Sequence, residues 1–195
     1  MVLFRTLRPQ CESRVDHLDF YQYLAEGSAR LPAAVVSILL AYDEYFQLHI
    51  PYGSMFQGPT LDHIDDWWLS KQMSSTQIDR MMPSNVIADF IAPPLRDTSS
   101  AVARRMMEAM ARESLSKGWK PRREENIFLL HHNADDIAPA ANTQLLYDFL
   151  KEQGVENVEM QKADFITLGI SEHISGAAAF LTLVAKWIRD NYTVK

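Results

Sequence analysis

The chain has 195 residues, 47% of them apolar, enough to bury a sizeable core and, by length, to form one domain. A formal net charge of −6 argues against a nucleic-acid binder, which needs a basic face. No apolar run reaches the length of a membrane span, and the lone Cys11 excludes an intramolecular disulfide.

Residues Met1 to Arg14 match no element; Arg5, Arg8, Pro9, Cys11 and Arg14 set this stretch apart in composition from the rest of the chain. The stretch carries no apolar h-region with a small-residue cleavage site, so the chain as written is expected to stay in the cytoplasm. From Val15 an aromatic-rich segment with Phe20, Tyr21 and Tyr23 runs to Glu26-Gly27-Ser28. Pro32 opens a helix at its first turn, where a missing N–H does no harm. Ala33 to Leu48 is apolar almost all round, which predicts burial on most sides, with Pro51-Tyr52-Gly53 as the stop.

Thr60 to Lys71 reads as a short helix carrying Trp67 and Trp68. Ser74-Ser75-Thr76-Gln77 fits a capping box for the next, which Pro83 ends. Asn85 to Ile91 predicts another short helix, cut by Pro93-Pro94. The clearest helix of this half spans about Ser100 to Lys117, with Thr98, Ser99 and Ser100 supplying caps and Gly118 a left-handed stop. Its apolar stripe is Val102, Met106, Met110 and Ser114 to Leu115, with Arg104, Arg105, Glu108 and Arg112 on the outer side. Pro32 to Gly118 is therefore an all-helical block, not the spelling of a doubly wound sheet.

The spelling changes after Arg122-Arg123-Glu124-Glu125. Asn126 to His131 is a short apolar run, as in a strand buried on both faces, and it exits through His132-Asn133-Ala134-Asp135-Asp136 to Pro139. Asn142 is expected to cap a helix ending at Gly154, and Val158 to about Phe165 to form the next strand. A last helix from about Gly176 to Asn191 would turn Phe180, Leu183, Val184, Trp187 and Ile188 inward. Strand, helix, strand, helix is the grammar of a parallel sheet.

A carboxylate just beyond a buried strand, followed by a strand-helix unit and then Glu172-His173-Ile174-Ser175-Gly176 before the final helix, resembles the closing third of an α/β-hydrolase. The resemblance implies a partial α/β-hydrolase fold, with a helical cap followed by a β-α-β-α unit of a parallel sheet. Residues 1–14 are unmatched, 15–120 look like the cap that some bacterial lipases, esterases and prolyl-oligopeptidase-like enzymes insert, and 121–195 resemble the last two strands and their helices. In that reading Asp135, in its Asp-x-x-x-Pro setting with Pro139, falls on the acid of a Ser-His-Asp triad, and His173 falls on the general base. The resemblance implies hydrolysis of a small-molecule ester or peptide-like substrate through an acyl-enzyme, with no cofactor and no metal.

One part of the pattern is missing. The nucleophile of the family sits in Gly-x-Ser-x-Gly, because its tight strand-to-helix turn leaves no room for side chains. The glycines here are Gly27, Gly53, Gly58, Gly118, Gly154, Gly169 and Gly176, and no two stand four apart. The oxyanion loop and the first five strands of the family also have no counterpart, so the chain alone is expected not to turn over esters. Truncation or a misplaced gene start is the expected reason, and export of a full-length parent stays open. An interaction module, or a half-enzyme docking onto a chain that supplies the serine, is the alternative. Two strands cannot cover their own edge unless Val15 to Tyr23 supplies a neighbour, so self-association through an open sheet edge is expected.

The residues themselves leave alternatives. Asp136 competes with Asp135 as the acid, and His173 on its own reads as a loop histidine. His131, His132, Asp135 and Asp136 lack the spacing of a metal site, since adjacent residues at a strand end point to opposite faces. Trp67 and Trp68 could hold a hydrophobic substrate, or one packs while the other sits at a rim. Met106 and Met110, with Met73, Met81, Met82 and Met107, could line an adaptable acyl pocket, or fill a core at helical spacing. Ser54 and Cys11 follow no buried strand and read as structural.

Overall fold

The computed structural model describes residues 2–3, 24, 27–114, 119–135, 140–164 and 172–191, with backbone alone at 2, 3, 163 and 172–179. It divides into two compact units, one of residues 16–114 and one of 1–15 with 115–195.

The 16–114 unit is helical. Helix α1 spans Pro32–Tyr45, with the proline in its first turn as expected. It buries Ala33, Val35, Val36, Leu39 and Tyr42, whereas Ser37, Ala41, Glu44 and Tyr45 are exposed. Burial is therefore one-sided, against the expectation of a helix enclosed on most sides: the outer positions hold small, charged or amphipathic side chains that tolerate water.

Nor does α1 run on to Pro51. Gln47 N–H donates to the Glu44 carbonyl (3.2 Å) and Leu48 N–H to that of Asp43 (2.9 Å), the paired bonds of a Schellman stop. Gln47 holds the left-handed position at φ 50°, where a Cβ crowds the backbone. Gln47→Gly is expected to stabilise the protein by about 1 kcal/mol, after allowing for the extra freedom of an unfolded glycine. A urea-unfolding midpoint that fails to rise would count against this account of the stop.

Single helical turns follow at Tyr52–Met55, Gly58–Asp62, Ile87–Phe90 and Pro93–Arg96, where a longer helix over Asn85 to Ile91 was expected. Pro93-Pro94 thus opens a turn as well as closing one, the N-terminal position that proline favours. Helix α2, Ser75–Met81, has the expected capping box: Ser74 accepts from Gln77 N–H and the Gln77 side chain accepts from Ser74 N–H.

Helix α3, Ala101–Arg112, is capped by Ser100, whose hydroxyl accepts from Ala103 N–H at 2.9 Å. Asp97 leads into that cap, and the Ser99 hydroxyl and then the Ser99 N–H hold its carboxyl below the usual carboxylate range. The helix stops short of the expected Lys117 through tightened bonds, from Glu113 N–H to Met110 and from Ser114 N–H to Ala111. Gly118 lies outside the described residues. The core of this unit encloses Leu39, Met55, Phe56, Ile87, Leu95 and Met106 completely.

The other unit holds a three-stranded sheet in the order β1-β2-β3. Strand β1 is Val2–Leu3, in a stretch where no element was expected. It pairs antiparallel with β2, Asn126–His132, setting Val2 opposite Leu129 and Leu3 opposite Phe128. The alternative neighbour, Val15 to Tyr23, lies outside the described residues. Strand β2 pairs in parallel with β3, Asn157–Ala163, with Ile127 beside Val158 and Leu129 beside Met160.

Helix α4, Ala140–Glu152, connects β2 to β3, and helix α5, Glu172–Asn191, follows β3. The α4 face buries Ile127 and Leu129 against Leu146, Leu150, Val155 and Val158. The α5 face buries Phe128 and Leu130 against Phe180, Val184 and Trp187, with Phe128 and Trp187 stacked at 5.5 Å. Two apolar faces on one strand explain why β2 is a continuous apolar run and not an alternation.

Three local expectations are corrected in this unit. Asn142 lies inside α4, which begins at Ala140 directly after Pro139 in the sequence. Helix α5 begins at Glu172 and not Gly176, and Ile188 is 38% exposed where it was expected to face inward. Among the described residues no helix is long and apolar enough to cross a membrane.

Candidate functional site

In a parallel sheet every strand ends on the same rim, and the loops leaving that rim are free to carry chemistry. The residues in question leave β2 at its carboxyl end, where an apolar strand closes on two histidines, His131 and His132, both buried. Strand alternation sends them to opposite faces. His131, in step with Ile127 and Leu129, turns to the α4 face. There its Nδ1 lies 2.8 Å from Oγ1 of Thr143, in the first turn of α4.

His132 organises the exit turn. Its carbonyl accepts from Asp135 N–H at 3.1 Å, closing a four-residue turn, and its Nδ1 accepts from Ala134 N–H at 3.0 Å. Since a backbone N–H can only donate, Nδ1 of His132 is unprotonated in this arrangement. The tip of the turn is tied to the neighbouring strand end: the Asn133 amide donates to Oδ1 of Asp164, just past β3, at 3.0 Å. Lys162 reaches across from β3 to Gln144 of α4 at 2.9 Å.

Asp135 is the product of this bracing. Its side chain is 9% exposed, and Oδ2 lies 4.0 Å from Nε2 of His131. A nearly buried carboxylate is costly unless polar groups face it, and here an imidazole does. Asp136 lies outside the described residues. His173 stands in the first turn of α5, but its side chain is likewise outside the described set. Among the described residues no group of three or more His, Cys, Asp or Glu could hold a metal ion.

The four expected substrate contacts lie in the helical unit. Trp67 and Trp68 occupy a π-helical turn, Asp65–Leu69, closed by Ser70 N–H to the Asp65 carbonyl at 2.8 Å. That wider turn lets two consecutive indoles enter the core. They are 7% and 8% exposed, so both pack and neither sits at a rim. Trp68 Nε1 donates to the Ala33 carbonyl at 3.3 Å, and His63 stacks on Trp67 at 4.8 Å. Met106 and Met110 are 0% and 5% exposed in the same apolar cluster. A ligand would meet these four side chains only if that core opened.

Sequence motifs pass over Thr143 entirely. The signal that finds it is a histidine ending an otherwise apolar strand, with a hydroxyl residue in the first turn of the next helix.

The chain matches no protein-family model and no curated protein. Its fold does match a solved structure, the rice cell wall degrading esterase LipA from Xanthomonas oryzae, with a TM-score of 0.62 and 19% identity. The match covers 90% of this chain and 47% of LipA, so the chain spans about half the length of that esterase. At this identity the likeness is one of fold alone, mixed helices with a parallel strand pair.

Proposed function

We propose that this chain carries the acid and the base of a serine-hydrolase site on a partial α/β-hydrolase fold, acting on an ester or peptide-like bond. Asp135 is the acid, His173 the general base, and residues 15–120 are the cap. The serine comes from outside this sequence, which contains no Gly-x-Ser-x-Gly. The observation that carries the reading is the braced, nearly buried Asp135 at the carboxyl rim of β2.

The course of α5 supports it. Trp187 and Asn191 border a cavity of about 250 Å³ with Asn126 and Asn157, at the amino ends of the strands. Phe180 packs halfway up, against Phe128 and Leu130. At about 1.5 Å of rise per residue, the opening turn of α5 extends about 10 Å beyond Phe180 toward the carboxyl rim. That LipA is an esterase agrees with the assignment.

In the mechanism, His173 would take the proton from the attacking hydroxyl, and Asp135 would orient its ring and stabilise the imidazolium. A carboxylate beside an imidazole favours the charged ring, so Asp135→Asn is expected to lower the pKa of His173 by about one unit. NMR titration of the ring reads this directly, and an unmoved His173 would remove Asp135 from the acid role. The chain alone is expected to resist a fluorophosphonate probe, and labelling of it would overturn the placement of the nucleophile elsewhere. The missing Gly-x-Ser-x-Gly favours one second reading, an interaction module without catalysis, and an unmoved His173 would support it.

A further inference from the structure

We infer that His131, oriented by Thr143, is the positioning residue that holds the Asp135 carboxylate at the rim of the sheet. The inference rests on the reading of Asp135 as the acid and adds to it the device that aims the acid.

Position 131 is anomalous in its burial. Ile127 to Leu130 are apolar and enclosed, and a leucine at 131 would continue the pattern. An imidazole there loses hydration and is tolerated only where polar groups meet it. On one side Thr143 Oγ1 stands 2.8 Å from Nδ1, and on the other Asp135 Oδ2 stands 4.0 Å from Nε2. These two groups belong to different segments, the first turn of α4 and the exit turn of β2, so the ring links the helix to the loop bearing the acid.

The chemistry of the partners sets the direction of the link. An ionised carboxylate only accepts, so the ring proton belongs on Nε2, facing Asp135. Nδ1 is then a lone pair, and the Thr143 hydroxyl donates to it. The hydroxyl bonds one side of the ring at 2.8 Å, and the other side faces the carboxylate across 4.0 Å in a poorly hydrated site, where fields are little screened. At 4.0 Å the Nε2–H acts on the carboxylate through its field and not through a direct bond. The effect is to keep Asp135 ionised and facing one way. The remaining described groups at this rim are His132, engaged by Ala134 N–H, Asp164, engaged by Asn133, and the Lys162 ammonium, beside His131 in the sheet and bonded to Gln144 of α4.

The test is an NMR titration of the full chain labelled with carbon-13 and nitrogen-15, following the Asp135 carboxyl carbon and the histidine rings. Wild-type His131 is expected as the Nε2–H tautomer. Thr143→Val should mix its tautomers and raise the Asp135 midpoint by about one pH unit, a tenfold change in proton affinity. Thr143→Ser, which returns the hydroxyl, should restore both. A folded Thr143→Val chain with an unchanged Asp135 midpoint overturns the inference. If that variant does not fold, Asp135→Asn decides: His131 ring signals must change, and unchanged signals are equally fatal. The same Asp135→Asn sample separates the two claims. His131 responding without His173 keeps the link and removes the acid role, whereas His173 responding without His131 keeps the acid and removes the link.

Discussion

Leu129→Ala is expected to cost about 2–5 kcal/mol, a large part of the total stability of an ordinary domain. Leu129 is fully buried in the middle strand of the sheet, opposite Val2 on one side and Met160 on the other. Its side chain belongs to the cluster of Ile127, Leu146, Leu150, Val155 and Val158 on the α4 face. Shortening it removes transfer energy and leaves a cavity that two backbone ladders prevent from collapsing. Leu129→Met, which keeps the volume, should lose less than about 1.5 kcal/mol. Urea unfolding followed by far-ultraviolet circular dichroism measures both. An alanine variant within about 1 kcal/mol of wild type would mean that the α4 face is not closed over β2, and the bracing argued for Asp135 would lose its foundation.

Trp68→Ala should be as severe, at about 3–5 kcal/mol. The indole packs in the helical core, 5.7 Å from Trp67 between ring centres, and its N–H reaches the carbonyl of Ala33 near the start of α1. Truncation opens a cavity and leaves that carbonyl without this donor. Trp68→Phe should keep much of the packing and lose less. The pair of variants speaks to function, because a tryptophan presented to substrate is dispensable for folding. A Trp68→Ala protein with an unchanged unfolding midpoint would return Trp68 to the set of ligand contacts, whereas the expected large loss assigns it to the core.

Chemistry at the rim was only partly legible in the residues. A carboxylate just past an apolar strand draws the eye to Asp135, but an acid at a strand exit is ordinary, and spacing alone leaves Asp136 beside it as a rival. The identity of its neighbours is another matter. His131 and Thr143 are separated by a turn and the start of a helix, and their 2.8 Å contact depends on how α4 folds back over β2. His131 and His132 stand side by side in the chain, yet one faces Thr143 and the other accepts from Ala134 N–H. The π-helical turn at Trp67 and Trp68 was illegible too, because a shift from one hydrogen-bond spacing to the next leaves no fixed residue signature.

What the residues settle unaided is local. The proline at the head of α1, the Ser74–Gln77 box, the serine cap of α3 and the apolar run of β2 each depend on groups a few positions apart, so composition and spacing specify them. What needed the folded chain is everything that joins distant segments. Val2 and Leu3 carry no strand signal of their own and become a strand only because β2 presents backbone groups to pair with. The end of α1 at Tyr45 is set by two backbone bonds and a strained glutamine, not by the proline further on. The aim inferred for Asp135 comes from two side chains, His131 on β2 and Thr143 on α4, which meet only when helix and sheet close on each other. Short-range propensities are written residue by residue, whereas long-range contacts exist only after the chain has given up the entropy of bringing its parts together.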